Sequence, residues 1–190
     1  MFEQGLLIGG FNPAHYGHIA LIETGLKEIE KLDIIVGNKS VYVLPREVRV
    51  RALNSVLNER KLSDRVKILD LKPKLCEYDV SNYSAMLLGS DVLNHFPLSE
   101  NVHRPQDRAF FSKFENLIVL ERLGIPISND AKIQVINKGQ KLIEYKAVTD
   151  IAAKVIRLRY KSGVDVTEMM PEYVWEQIMP FAELFHASRI

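Results

Sequence analysis

Cysteine is nearly absent from this chain, and so is any long apolar segment. Cys76 is the one cysteine in 190 residues, which excludes an intramolecular disulfide and a cysteine-based metal site. No stretch approaches the roughly 18 apolar residues that a membrane-spanning helix needs. The apolar run before Gly10 is too short for a signal peptide. We therefore expect a cytoplasmic protein, in a reducing compartment, with no membrane partner.

An excess of charge of one sign is also missing. The chain has 25 Lys and Arg residues against 24 Asp and Glu residues, and its formal net charge is +1. Because no global field would attract a polyanion, we expect no nucleic-acid partner, and any anion-binding site has to be local. Hydrophobic residues make up 47% of the chain and charged residues 26%, which is typical of a globular protein with a complete core.

Short apolar runs alternate with segments of helical periodicity along the chain. Strands are predicted at residues 5–10, 32–36, 66–71, 85–88, 116–120, 133–136 and 142–148. Helices are predicted at residues 18–29, 46–59, 151–160 and 171–184. This alternation predicts an α/β fold, with a Rossmann-like parallel sheet, flanking helices and a small C-terminal helical part. In such sheets, ligands bind beyond the carboxyl ends of the strands.

One loop carries the strongest chemical signal. Residues 9–18 read Gly-Gly-Phe-Asn-Pro-Ala-His-Tyr-Gly-His and join the first predicted strand to the first predicted helix. The segment has neither the G-x-G-x-x-G spacing of a dinucleotide site nor the Gly-Lys-Ser/Thr of a Walker loop. Two glycines at a strand end let the backbone approach a bulky anion. His15 and His18 lie at a helix start, where free N–H groups favour negative charge.

Histidines in this position suit phosphoryl transfer. That reaction needs in-line positioning and donors directed at the charge that develops on the phosphate oxygens. Either nitrogen of an imidazole can donate, and protonation near neutral pH adds a positive charge. The alternative interpretation of His15 and His18 is a pair of surface histidines, or a metal-binding pair without further ligands.

The loop resembles the GGxFNPxHxGH signature of the nicotinate and nicotinamide mononucleotide adenylyltransferases, within the HxGH nucleotidylyltransferase superfamily. The resemblance covers nearly the whole chain. Residues 89–91 are similar to the family's G-A-D element, 117–124 to its strand ending in R-P-G, 151–157 to its I-S-S-T-x-I-R motif and 163–178 to its closing G…LVPxxVxxYI run. Residues 1–150 would then form a nucleotide-binding α/β core, and residues 151–190 a C-terminal helical segment of the same domain.

The resemblance implies an enzyme that transfers AMP from ATP to nicotinate or nicotinamide mononucleotide and releases pyrophosphate, in NAD synthesis. His15 and His18 would bind the triphosphate and stabilise the transition state. Mg²⁺ would arrive with ATP, and the protein would supply no metal ligand. The remaining nucleotide-binding positions implied by the family are Gly9, Gly10 and Phe11 at the phosphates, Asp91 at the adenylate half, and Arg157 at the β- and γ-phosphates.

The chain departs from the family pattern at three places. The loop is one residue shorter than Gly-Gly-x-Phe, and only five residues separate Tyr83 from Gly89, where the family inserts a helix. The third departure is Ala152-Ala153-Lys154, which stands where the family has Ser, Ser and Thr, so Lys154 is expected to replace lost hydroxyl contacts with the triphosphate.

The acceptor side is less specified by the sequence. Lys39 and Arg46 follow the second predicted strand and are weaker candidates for binding the acceptor's phosphate. Two alternatives to the nicotinate or nicotinamide reaction stay open. One is an adenylyl- or cytidylyltransferase that uses a different phosphate-bearing small molecule, and the other is a non-catalytic nucleotide-binding homologue. The sequence is compatible with a homo-oligomer and does not decide the oligomeric state.

Overall fold

Six parallel strands form one sheet with the strand order β3-β2-β1-β4-β5-β6. The structure is a computed structural model, and it describes residues 1–39, 42–95, 109–146 and 151–187. Because the chain builds outward from β1 to β3 and then from β4 to β6, the strand order reverses between β1 and β4. This is the predicted doubly wound, Rossmann-like α/β sheet. The strands are β1 (Phe2–Gly9), β2 (Ile29–Val36), β3 (Val66–Ile68), β4 (Ala85–Gly89), β5 (Asn116–Glu121) and β6 (Lys141–Lys146).

Helices cover both faces of the sheet and create two hydrophobic cores. Neighbouring residues of a strand point to opposite faces, and Leu7 accordingly packs in one core and Leu6 in the other. The Leu7 core contains apolar residues of α1, α2, α5 and α6, while the Leu6 core contains those of α3 and α4. The helices are α1 (Tyr16–Gly25), α2 (Arg46–Glu59), α3 (Ser90–His95), α4 (Asn129–Asn137), α5 (Ala153–Lys161) and α6 (Glu172–Ile178).

The C-terminal helices belong to a shared core. Ile156 of α5 and Val174 of α6 are fully buried in the cluster that contains Leu7 and Ile22. The division after residue 150 stays a prediction, since residues 147–150 lie outside the described residues. None of the helices in the described ranges is both long and apolar enough to cross a bilayer.

The strand predicted at residues 133–136 is wrong, because these residues lie in α4. Ser128 caps this helix by accepting a hydrogen bond from the backbone N–H of Ala131 at 3.2 Å. Val135 is buried, whereas Ile133 and Ile136 are 54% and 68% exposed, so the burial follows the helical period. The β-branched residues Ile133, Val135 and Ile136 favour a strand by their local pattern, but packing on one face of the segment makes it a helix.

Several predicted boundaries also move. The first helix ends at Gly25, where a Cβ would lie 2.3 Å from the Leu87 side chain, so glycine permits the close approach of α1 to the sheet. Ile29 therefore starts β2 instead of ending the helix. The last helix stops at Ile178 and continues as 3₁₀ turns through Met179–Ala187, in which Pro180 cannot donate a backbone hydrogen bond.

Two further predicted elements differ in extent. The strand predicted at 142–148 is β6, which ends at Lys146, and residues 147 and 148 lie outside the described residues. Ser90 and Asp91, which follow β4 directly, form the first turn of α3.

The segment between β3 and β4 covers one face of β1 and β2. The five residues between Tyr83 and Gly89, where the family inserts a helix, belong mostly to β4. The segment contains only a short 3₁₀ turn, Leu75–Glu77. Tyr78 and Val80 of this segment are buried against Leu6 and Ile35. This segment thus shields the sheet without a regular α-helix.

Candidate active site

A cavity of about 370 Å³ lies at the carboxyl ends of β1, β4 and β5, where the strand order reverses. We call it the nucleotide cavity. The β1–α1 loop and the first turn of α5 complete its wall. It brings together all of the residues that the sequence predicted for the catalytic and nucleotide-binding site, which are Gly9, Gly10, Phe11, His15, His18, Asp91, Lys154 and Arg157.

The two predicted acceptor residues lie elsewhere. Lys39 lines a second, adjacent cavity of about 780 Å³. We call this cavity the lysine groove, because Lys39, Lys72 and Lys74 line it above an apolar floor that includes Met86 and Leu88. Arg46 lines neither the nucleotide cavity nor the lysine groove. Its guanidinium donates to the carbonyl oxygens of Val36 at 3.0 Å and Leu69 at 3.1 Å, and thereby joins the ends of β2 and β3.

The conformation of the β1–α1 loop is fixed by the side chains of Phe11 and Asn12. A Cβ on Gly9 would lie 2.7 Å from the Phe11 ring, so this glycine lets the ring fold back over the strand end. Phe11 itself is buried and has a φ of 48°, a left-handed conformation that is rare for a large side chain. Asn12 is buried and accepts a hydrogen bond from the backbone N–H of Leu44 at 3.1 Å. The loop therefore presents a preformed surface to a ligand.

The two predicted catalytic histidines form a pair, in which His15 is buried and His18 is half-buried. His15 is the N-cap of α1, and its Nδ1 accepts a hydrogen bond from the backbone N–H of Gly17 at 3.1 Å. In a neutral His15, the proton therefore lies on Nε2. The centroid of the His18 ring is 3.9 Å from that of His15 and 4.7 Å from that of Phe11. Neither His15 Nε2 nor His18 Nδ1 has a hydrogen-bond partner among the described residues, and such buried groups are suited to a ligand.

Burial makes both imidazoles hard to protonate. Desolvation, reinforced by the positive charge of Arg122, lowers the pKa of His18 to about 3. Desolvation also lowers the pKa of His15 well below its usual value, with further contributions from His18, Arg122 and Arg157. The two histidines therefore do not supply the expected additional positive charge at neutral pH. The histidines can act in the cavity as neutral hydrogen-bond donors, while the positive charge comes from neighbouring side chains.

Arginine and lysine side chains supply that charge. Arg157 lines the cavity, and its Nη1 donates to the carbonyl oxygen of Asn12 at 2.5 Å, which links α5 to the β1–α1 loop. Lys154 lines the same wall. The N-cap position of α5 is Ala152, which makes no side-chain capping hydrogen bond. The first turn of α5 therefore retains backbone donors that a phosphate can accept.

Arg122 is a site residue that the sequence analysis did not assign. Its Nη1 is 2.7 Å from Oδ2 of Asp91, and its Nη2 donates to the carbonyl oxygen of Ile151 at 3.3 Å. The carboxylate that was predicted to bind the adenylate half is thus ion-paired in this structure. The sequence carries a signal for this residue, because Arg122 is the arginine of the Arg122-Leu123-Gly124 triplet that resembles the R-P-G element.

Tyr42 and Arg49 were also missed. Tyr42 lines both the nucleotide cavity and the lysine groove. Arg49 is fully buried beneath it, with the guanidinium carbon 4.7 Å from the centroid of the Tyr42 ring. An available signal was the position of Arg49 on the apolar face of α2, next to Val48 and one turn before Ala52, where an arginine is rarely found.

Two neutral imidazoles, two arginines, one lysine and the start of a helix can together bind a polyphosphate and stabilise charge on it. Such a cavity at the switch point of a parallel sheet characterises a nucleotidyltransferase-like fold. The cytidylyltransferase-like family model matches residues 6–180, and this chain belongs to that family. Family and fold agree with the resemblance found in the loop at residues 9–18.

A solved structure shows the same fold. The chain is similar to Plasmodium falciparum nicotinic acid mononucleotide adenylyltransferase complexed with APC, with a TM-score of 0.71 and 14% sequence identity. The match covers 98% of this chain and 98% of that chain. At this identity, the likeness is one of fold. A comparison with curated protein sequences finds no match.

Proposed function

We propose that this protein transfers AMP from ATP to nicotinate or nicotinamide mononucleotide and releases pyrophosphate, as a step of NAD synthesis. The observation that carries the proposal is the convergence of the Gly9-Gly10 strand end, the His15–His18 pair and Arg157 around one cavity. The similar Plasmodium falciparum adenylyltransferase supports the choice of reaction. The resemblance of the 9–18 loop to the same family supports it independently of the fold.

In the proposed reaction, an oxygen of the acceptor's phosphate attacks the α-phosphorus of ATP. The bond between that phosphorus and the oxygen bridging to the β-phosphate breaks, and pyrophosphate leaves. His18 and His15 donate hydrogen bonds to phosphate oxygens as charge develops there. Arg157 and Lys154 hold the leaving pyrophosphate, for which a guanidinium can contact two oxygens at once. No covalent intermediate on the protein is required.

Mg²⁺ is proposed to enter as part of the substrate, bound to phosphate oxygens of ATP. The residues present fit this arrangement, because Asp91 is the one acidic side chain among the described residues that line the cavity. Its carboxylate is already paired with Arg122. Bound with the nucleotide, Mg²⁺ supplies charge neutralisation to the triphosphate. The protein's part is to orient the phosphates through its own cations and backbone donors.

The lysine groove is the proposed acceptor site. It shares Gly9 and Gly10 with the nucleotide cavity, so a phosphate bound in the groove could approach the α-phosphate across the end of β1. Lys39, Lys72 and Lys74 provide positive charge there. The non-catalytic alternative rests on Ala152 and Ala153, because these residues provide no hydroxyl donor to a triphosphate at the start of α5.

Pyrophosphate release with ATP, Mg²⁺ and a panel of acceptors tests the proposal. The panel contains nicotinate mononucleotide, nicotinamide mononucleotide, phosphopantetheine and glycerol 3-phosphate, and each is repeated with CTP. We expect turnover with a pyridine mononucleotide and ATP. Turnover with another acceptor or with CTP would support the second transferase alternative, and ATP binding without any turnover would support the non-catalytic one. His18→Ala, purified in parallel, controls for contaminating activity.

A further inference from the structure

Tyr42 stands at the boundary between the nucleotide cavity and the lysine groove. Six described residues line both cavities, which are Ile8, Gly9, Gly10, Tyr42, Leu88 and Val92. Among these six, Tyr42 alone has a polar side chain. If ATP occupies one cavity and the acceptor the other, the reacting phosphates meet at this boundary. The Tyr42 hydroxyl is then a side-chain donor placed to contact the acceptor's phosphate as it approaches the α-phosphate.

The Tyr42 ring is packed tightly against the end of β1. A Cβ on Gly10 would lie 2.8 Å from carbon atoms of the ring and 2.9 Å from the hydroxyl oxygen. The hydroxyl is therefore close to the backbone that would bear the phosphates. Burial raises the pKa of Tyr42, an effect that Arg49 and Arg157 oppose. The hydroxyl thus stays protonated at neutral pH and can donate a hydrogen bond to an anion.

Arg49 holds this arrangement from below. Its Nη1 donates to the carbonyl oxygens of Gly10 at 2.6 Å and Gly37 at 2.7 Å, and its Nε donates to that of Leu44 at 3.0 Å. Among the described residues, no carboxylate forms a salt bridge with this buried guanidinium. The Gly10 and Gly37 carbonyl groups are turned toward Arg49, and so away from phosphates that they would repel. The guanidinium also stacks on the Tyr42 ring.

We infer that Tyr42 orients the acceptor's phosphate for attack on the α-phosphate, and that Arg49 is a positioning residue that acts through Tyr42 and the ends of β1 and β2. The inference rests on the proposed function. It assigns to Tyr42 a contact with substrate, and to Arg49 no contact with substrate. Such an orienting contact should affect transfer more than nucleotide binding. The proposed contacts of ATP with His15, His18 and Arg157 remain when the Tyr42 hydroxyl is removed.

The first test is Tyr42→Phe, which removes the hydroxyl and keeps the ring on Gly10 and Arg49. Because the variant loses a hydrogen bond to a charged phosphate, we expect kcat/KM for the acceptor to fall about ten- to a hundred-fold. The ATP dissociation constant, from calorimetry without acceptor, should change by less than about two-fold, and Tm should stay near that of the parent. Tyr145→Phe is the matched control, because that hydroxyl binds Glu28 at the far edge of the sheet.

The second test is a double-mutant cycle between Tyr42→Phe and Arg49→Lys. Arg49→Lys should lower both Tm and kcat/KM, because lysine cannot hold three carbonyl groups and the ring together. In the Tyr42→Phe background, Arg49→Lys should lower Tm equally but kcat/KM much less. Arg65→Lys is the matched control, since Arg65 donates to three backbone carbonyls near the start of β2, those of Leu26, Ile29 and Glu30, far from the strand ends that Arg49 contacts.

The outcomes separate this inference from the proposed function. Parental kcat/KM in Tyr42→Phe would overturn the role of Tyr42, and fully additive losses in the cycle would overturn the action of Arg49 through it. In either case the proposed function stands, since the parent still turns over. A parent that releases no pyrophosphate with any acceptor would overturn the proposed function and this inference together. If Arg49→Lys does not fold, the result with Tyr42→Phe decides.

Discussion

The nucleotide cavity and the lysine groove lie side by side, yet they are built differently. The cavity takes both of its histidines from one contiguous loop, in which Phe11, Asn12 and His15 are buried. The groove depends on exposed lysines from two separate segments above an apolar floor. Buried groups with fixed partners recognise one geometry, whereas exposed lysines offer flexible point charges. The difference suggests strict demands on the triphosphate and looser ones on the acceptor.

The largest effect is expected from His18→Ala. If His18 contacts the α-phosphate, its loss should reduce kcat on the order of a hundred- to a thousand-fold, as for other preorganised transition-state donors. Pyrophosphate release measures the effect, and circular dichroism checks the fold. His186→Ala, which removes a histidine from the C-terminal 3₁₀ turns, is the control. Near-parental turnover of His18→Ala would remove His18 from the chemistry.

Arg157→Ala tests whether the cavity distinguishes the triphosphate from the monophosphate. Losing a charge-assisted contact should weaken ATP binding about ten- to a hundred-fold and AMP binding only slightly. Calorimetry with both nucleotides measures the difference. Arg159→Ala is the matched control on the same helix, where the side chain is half-exposed and lies 3.9 Å from Glu168. Equal losses for ATP and AMP would place Arg157 away from the β- and γ-phosphates.

The depressed histidine pKa values predict a pH dependence that the exposed groove does not share. Below pH 6.5 the unfolded chain binds protons on His15 and His18 that the folded protein does not bind. Stability should therefore fall as the pH falls from about 6.5 toward 3, by up to about 1.4 kcal/mol per pH unit from His18, and His15 adds to this loss. Urea unfolding at pH 7 and pH 5 measures this loss. His18→Gln should reduce it by about 2 kcal/mol at pH 5, and an unchanged loss would contradict the burial of His18.

Ala152→Ser probes the first turn of α5, where the cavity lacks a side-chain donor. The extended backbone at Ala152, with φ of −126° and ψ of 141°, suits an N-cap serine. We expect about 1 kcal/mol of added stability without nucleotide and ATP binding tightened by about five-fold, when the hydroxyl also contacts phosphate. Added stability without tighter ATP binding would show that this position caps the helix and does not face the triphosphate.

The smallest effect is expected in the groove. Lys39→Ala should raise KM for the acceptor by roughly two- to four-fold, since an exposed charge that pairs with a phosphate contributes little. The ATP dissociation constant and kcat should change little. Lys27→Ala, in the turn after α1, is a control for the loss of one lysine. A loss of kcat as large as that of His18→Ala would abolish the distinction between the two regions.

Much of the nucleotide cavity could be predicted because its determinants are close in sequence. The strand end, the two glycines and the two histidines span residues 9–18, so local geometry alone brings them together. Asp91, Lys154 and Arg157 were found through the resemblance, since nothing local indicates that they face the same cavity. The strand predicted at 133–136 failed for a related reason, because an apolar run is ambiguous until its packing partner is known.

The roles of Tyr42, Arg49 and Arg122 depend on partners that the sequence does not show. Each acts through residues that are distant along the chain, as Arg49 does through Gly10 and Arg122 through Asp91. Arg46 illustrates the opposite error, because a cation that follows a strand was expected at the acceptor and instead binds backbone carbonyl groups. Side-chain direction, which decides between these roles, depends on the packing of α2 against the sheet.

By itself, the sequence determined the α/β class and the position of the loop that is proposed to bind phosphate, because both depend on periodicity and on residues within a few positions of one another. Tertiary structure decided the electrostatics. The sequence does not show that the histidines are neutral, since their pKa values fall only when distant segments bury them beside Arg122. Nor does it show that Tyr42 separates two cavities, because the buried charge of Arg49 that holds this boundary is placed by the packing of α2 beneath the ends of β1 and β2.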